Sequence, residues 1–273
     1  MGKVTRRRFI SILGLGSILT MKPLSVLSKN LLAQSDSKAK EIFNLLKKKR
    51  KSLKTLSFTM IKKVVFLAPE KINKIESEVS EFEKADNLKT EFYWKPDKSK
   101  MVIYFPDKKG SSKYETKVTS VYKDNRLYEK IESLVEDFEP KIESRCATPS
   151  EKKKALRLPL ETIIPMPEDK PMTFLEKKFL KGERVYIILQ GNKKFWISLN
   201  KNSVIKIENY KNQQQISSIL EFKDFKEILP GMFIPTLIVQ KKFDEKSNLI
   251  SEHWNRIKSI RINEFLPDNL FNI

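Results

Sequence analysis

Between Glu183 and Asn263 the chain reads as six short apolar runs, ERVYIILQ, KKFWISLN, SVIKIENY, ISSILEFKDF, MFIPTLIVQKKF and HWNRIKSIRIN. Turn signals separate them: Gly191-Asn192, the stretch from Asn200 to Asn202, and Pro230-Gly231. Runs of this length, rich in β-branched and aromatic residues and closely spaced, form strands, and neighbours in such a meander pair antiparallel. The chain is therefore committed to a large antiparallel sheet whose apolar faces must be covered. Several runs are apolar on both sides, with Val185, Ile187 and Leu189 alternating with Tyr186 and Ile188, and Leu237 and Val239 flanking Ile238. Either both faces are covered, or one packs on helices while the other lines a cavity.

The same alternation begins earlier. SEVSEFEKADNLKTEFYWKPDKSKMVIYFPDKKG reads as at least two strands joined at Pro96-Asp97, with Phe92 and Trp94 on one face of the first and Met101, Ile103 and Phe105 on one face of the second. YETKVTSVYKDNRLY adds a third, with a turn at Asp124-Asn125. The period then changes, because Ile131, Leu134, Val135 and Phe138 fit a helix that ends before Pro140. The stretch from Lys141 to Lys154 reads as an exposed loop and LPLETIIP as a short helical turn between prolines. Ahead of all these, Ile42, Phe43, Leu46, Leu53 and Leu56 fall at helical spacing, with Ser37 placed to cap the N-terminus and lysines on the outer face.

The first 33 residues differ in kind. An uncharged run of 13 residues, Phe9–Met21, lies between Arg8 and Lys22, well short of the roughly 20 that a helix needs to cross a bilayer. Thr5, Arg6, Arg7, Phe9 and Ile10 follow the twin-arginine export pattern, and Gly14, Gly16 and Thr20 temper the apolar region behind it. Residues 1–33 are thus expected to be a cleaved signal peptide, with small residues at Ala33 or Ser35 as cleavage points. Residues 34–273 are expected to form a single exported domain. A general secretory signal and an uncleaved N-terminal anchor are the competing readings. Cys146 lies far from the position a lipoprotein would need, so lipidation is not expected.

The net charge of +20 falls to +14 once the six cations of the signal region are removed. The remaining cations are interleaved with acids such as Glu76, Glu78, Glu81 and Glu83, and only Lys47–Lys51 and Lys152–Lys154 form clusters. Such runs suit an anionic lipid surface or an acidic partner in an exported protein better than they suit nucleic acid. A single cysteine allows no internal disulfide, so the core alone must hold the fold.

The absences narrow the chemistry. One histidine, His253, and one cysteine exclude a His/Cys metal cage and, away from that one imidazole, any Ser-His-Asp or Cys-His arrangement. His253 is expected in a surface or cross-strand role. Gly110, Gly182, Gly191 and Gly231 are the glycines beyond residue 33, too dispersed for a phosphate-binding loop. No pair of carboxylates stands out as an acid and base. Neither catalytic residues, metal nor cofactor is expected, and the chain reads as a binder.

The motif order completes the reading. An amphipathic segment, then EFYWKPDKSKMVIYFPD, VYKDNRLYEK, FWISLNKNSVIKIENY, LEFKDFKEILPGMFIPTLI and finally IRINEFLPDNLF resembles the LolA-like family of periplasmic lipoprotein carriers across about residues 38 to 273. Phe92, Trp94, Pro96 and Tyr104 match its hairpin, and Phe195, Trp196 and Ile197 its tryptophan strand. Pro235 matches its later proline, and Asn263, Leu266, Leu270 and Phe271 its C-terminal signature. Asn125, Arg126 and Ser198 depart from it, as does the length of the stretch from Lys141 to Lys154.

The resemblance implies an α+β fold, an open half β-barrel in which a large twisted antiparallel sheet has helices over its concave face. It implies a monomeric periplasmic carrier that shields lipoprotein acyl chains, or related lipids, between an inner-membrane release complex and an outer-membrane acceptor. Phe92, Trp94, Met101, Ile103, Phe105 and Trp196 are the cavity candidates it suggests, with ordinary sheet core as their competing role. A sensor or adaptor for a lipidated partner, and a basic protein binding anionic surfaces, are the alternatives.

Overall fold

The structure, a computed structural model, describes residues 24–67, 86–106, 113–135, 139–180, 182–212 and 215–273, with side chains from Ser37 onward. These residues form two α-helices, α1 (Leu24–Lys51) and α2 (Pro149–Ile163), and one 13-stranded antiparallel sheet. The strands are β1 (Leu56–Leu67), β2 (Leu88–Trp94), β3 (Ser99–Pro106), β4 (Tyr114–Lys123), β5 (Arg126–Ser133) and β6 (Lys141–Cys146), then β7 (Thr173–Leu180), β8 (Glu183–Gln190), β9 (Lys193–Ser198), β10 (Ser203–Tyr210), β11 (Ile216–Leu229), β12 (Met232–Phe243) and β13 (Leu249–Ile262). Their spatial order is β6-β5-β4-β3-β2-β1-β13-β12-β11-β10-β9-β8-β7. A short 3₁₀ turn, Asp268–Phe271, follows.

Two meanders are thus joined back to back along the β1–β13 pair, where Met60 faces Ile257 and Leu56 faces Ile262. The sheet ends in β6 and β7, which do not pair with each other, so it stays open. Sheets of this width curl because strand twist accumulates. Register shifts add curvature in the β1–β13 and β11–β12 pairs, and Ser259 and Asp224 adopt φ values of 53° and 52° in these strands.

The topology dictates where the roof lies. The chain leaves the sheet at one edge, β6, and re-enters at the other, β7, so residues 147–172 must cross its whole width. They do so over the concave face, as α2 followed by a proline-rich strap at residues 164–172. Helix α1 packs against β7, and α2 against β2 and β4. Between roof and sheet lies the main core, where Ala39, Ile42, Phe43 and Leu46 of α1 and Leu160 and Ile163 of α2 meet Phe58, Phe92, Trp94, Phe195 and Ile234.

Several sequence expectations are corrected. Helix α1 ends at Lys51, so Leu53 and Leu56 are buried in the following turn and at the start of β1 rather than on the helix. Ser37 lies inside α1 and does not cap it. Ile131 belongs to β5 and Leu134 follows it, because pairing with β4 overrides the helical spacing; Phe138 lies outside the described residues. The expected loop from Lys141 to Lys154 instead forms β6 and the first turns of α2. Thr148 caps that helix, in a capping box with Glu151 and with Pro149 opening the first turn. Strands β1 and β7 had not been anticipated. The signal segment, Arg6 and Arg7 included, also lies outside the described residues.

The convex face explains much of the lysine content. Val185 and Ile187 are fully buried there, yet neither packs in the roofed core. Above them Trp196 carries the Lys178 and Lys206 ammonium groups 5.8 and 5.1 Å from its ring centroid, and Lys194 lies 5.2 Å from the Tyr210 ring. Ion pairs extend the pattern, across strands with Lys194 on Glu208 and Lys117 on Glu132, and along single strands with Lys206 on Glu208, Lys223 on Glu221 and Lys130 on Glu132. Lysine stems cover apolar strand residues while their charges reach water. Farther along this face, Leu266 and Phe271 of the C-terminal tail seal Val121, held by Asp268 on Lys95 and Lys98 at 2.6 and 3.2 Å.

Candidate functional site: a roofed cavity on the concave face

Strand alternation sorts the six candidate residues. In β2, Leu88, Thr90, Phe92 and Trp94 point to the roofed face and Lys89, Glu91 and Tyr93 do not. Phe92 stacks on Phe58 at 4.7 Å, and both are almost fully buried. The Trp94 indole donates a hydrogen bond of 2.8 Å to the Leu156 carbonyl of α2, one turn before Pro159, which interrupts the helix's own bonding. These two aromatics therefore seat the roof. Met101 faces Phe92 across the β2–β3 pair and lines a gap of 40 Å³ beneath Leu158 and Pro159. Ile103 and Phe105 follow it on the same face and remain partly open. Trp196 lies on the opposite face from Phe195 and Ile197, under lysines, and so away from the roofed side.

An apolar-floored opening on the concave side was not among the sequence candidates. A cavity of 540 Å³ lies between α2, the strap and strands β8 to β11. Phe195, Ile207, Leu220 and Phe222 form its floor, Met166 its inner wall, and Arg157, Glu161, Lys193 and Asn192 its rim. Register explains the floor, because Ile207 faces both Phe195 and Leu220, so consecutive strands present apolar side chains in one row. Alternation in SVIKIENY and ISSILEF already carries that row in sequence. The wall had no local signal, since it exists only because α2 and the strap cross the sheet.

Gln190 fixes the strap to the end of β8. Its side-chain oxygen accepts from the Glu168 amide at 2.8 Å, and its amide nitrogen donates to the carbonyls of Glu168 at 2.8 Å and Lys170 at 3.2 Å. Lys49 anchors the last turn of α1 in the same manner, donating to Ser203 Oγ at 2.6 Å and the Phe233 carbonyl at 2.8 Å. Burial strips water from this ammonium and brings its pKa down to about 8. A second opening, of 470 Å³, lies between that turn and α2, and it shares Arg157, Met166 and Glu168 with the larger cavity.

His253 is buried in β13, on the face of Ile257, opposite Val64 and Gln240, which makes it cross-strand but not superficial. Cys146 is exposed at the end of edge strand β6. The site thus offers shape, an apolar floor and a charged rim, an arrangement suited to holding the tail of an amphiphile.

No family model matches the chain, and a search of curated proteins found no match. Solved structures do match its backbone. A LolA superfamily protein from Nitrosomonas europaea aligns over 86% of this chain and 97% of its own, with a TM-score of 0.50 at 14% identity. The chain has a LolA-like fold. An outer membrane lipoprotein-sorting protein domain from Vibrio parahaemolyticus gives 0.50 at 12% identity, over 85% of this chain and 95% of that one. A DUF1329 family protein from Desulfovibrio piger gives 0.51 at 11%, over 86% and 97%. At these identities the likeness is one of fold. It agrees with the open, roofed sheet that the LolA-like motif order implies, and no helix among the described residues is long and apolar enough to cross a membrane.

Proposed function

We propose that this protein is an exported carrier that holds acyl chains of lipoproteins, or of related lipids, in the roofed concave face of its LolA-like sheet. The 540 Å³ cavity, with an apolar floor of strand residues and a charged rim, carries this reading. Its volume falls within the range of small-molecule sites, about 300–1,000 Å³. Each methylene moved from water contributes about 0.8 kcal/mol, so some ten of them supply roughly 8 kcal/mol before ordering losses. No catalytic group is required. The twin-arginine segment supplies export to the periplasm, and the monomer passes its cargo between membrane partners.

Ile207, Leu220 and Phe222 take the tail, while Phe92 and Trp94 hold the roof. Ile103 and Phe105 extend the apolar face toward the other half of the sheet. Displacement of a fluorescent fatty acid tests the assignment. Leu220→Glu is expected to weaken uptake at least about tenfold, since it places a charge on the floor, whereas Trp196→Glu on the convex face leaves uptake within about twofold. Equal effects of the two substitutions would contradict the cavity assignment.

A further inference from the structure

The opening between the last turn of α1 and α2 differs chemically from the larger cavity. Phe43, Leu53, Trp94 and Leu160 give it apolar walls, and four cations, Lys47, Arg50, Lys51 and Arg157, surround it. The nearby carboxylates already have partners. Asp169 accepts from Lys47 at 3.1 Å, Glu168 pairs with Lys170 at 2.7 Å, and Glu161 pairs with Arg157 at 2.7 Å. Arg50 pairs with none of them. Its Nε and Nη2 atoms are buried and have no hydrogen-bond partner. A buried guanidinium donor without an acceptor is costly, and its planar fork matches the two oxygens of a carboxylate or phosphate.

We infer that this opening seats the oxyanion headgroup of an acyl lipid, with Arg50 as the bidentate donor and Lys51 and Arg157 as supporting charges. The tail then runs past Met166, which both openings share, onto the floor made by Phe195, Ile207 and Phe222. This rests on the carrier reading and narrows it to anionic amphiphiles. Helix α1 thereby supplies both roof and headgroup contact, so a bound lipid fastens α1 to α2.

The test compares three probes on the purified chain: a monoacylglycerol phosphate, the matching monoacylglycerol, and inorganic phosphate alone. The phosphate lipid is expected to bind about tenfold or more tightly than the neutral one, the scale of a lost charged hydrogen bond. Arg50→Gln is expected to abolish that preference by weakening the phosphate lipid to the level of the neutral one. Arg50→Lys, which keeps the charge without the fork, falls between, and Lys206→Gln on the convex face keeps the full preference. Equal binding of both lipids, unaltered in Arg50→Gln, overturns the headgroup site and leaves the carrier reading standing. Failure of both lipids removes the carrier reading and this inference with it. Inorganic phosphate that displaces the phosphate lipid at matching concentration overturns the lipid assignment in favour of a free-anion site.

Discussion

Single residues hold the roof, and two of them are open to direct test. The Trp94 indole both fills the core and donates to the Leu156 carbonyl, so Trp94→Phe keeps most of the packing and loses the bond. The expected cost is about 1–2 kcal/mol, read as a shift in the urea midpoint. An unchanged midpoint would show that the bond contributes nothing. Lys49 gives a signed pH effect. Its folded pKa is about 8 against 10.5 for a free lysine. Between those values the unfolded chain holds a proton that the folded chain lacks, so stability rises with pH across that window. The Lys49→Met variant is expected to lose that rise, on the order of 2 kcal/mol between pH 8 and 10.5, in denaturation compared with the parent. Asn263, part of the C-terminal signature, has a φ of 60°, accepts from the Lys54 amide at 2.6 Å and donates to the Ser52 carbonyl at 3.2 Å. Asn263→Ala meets strain and loses both bonds, and is expected to destabilise by about 2 kcal/mol in the same assay.

At the scale of elements, the strap is tied to the end of β8 through Gln190. Gln190 makes three hydrogen bonds to its backbone, and Gln190→Ala is expected to raise hydrogen exchange at the Glu168 amide without lowering exchange protection in β12 or β13. Uniform loss of protection would instead mark Gln190 as part of the global core. The same scale shows what the sequence could reveal. Local alternation with turn residues was enough for β2, β3, β4 and β8 to β13, since each of them pairs with a neighbour in sequence. Strand β1 was missed because Lys62 and Lys63 interrupt its apolar pattern, although it pairs with β2 as well as with β13 at the far end of the chain. The run Ile131–Val135 looked helical because its spacing fits both periods, and only pairing with β4 decides. Helix α2 was legible through Thr148, Pro149 and Glu151, but the lysines that follow them disguised it as a loop. The cavity floor was half legible as alternation, whereas its walls depend on a connection that crosses 13 strands.

For the whole molecule, the open sheet and its crossing roof divide the labour between the two faces. On the convex face, lysine stems cover apolar strand residues while their charges reach water. The concave face keeps its apolar residues beneath two helices and a strap, with openings at their margins. Such a shape serves a carrier, which must shield a tail from water and still release it. The account's central claim is that acyl lipid occupies this face. Native mass spectrometry of the protein purified from its host, with extraction and identification of any bound lipid, tests it most directly. The account predicts a co-purifying acyl lipid or lipidated protein, lost when Leu220 and Phe222 are replaced by glutamate. A protein that arrives empty and takes up no acyl probe would contradict it.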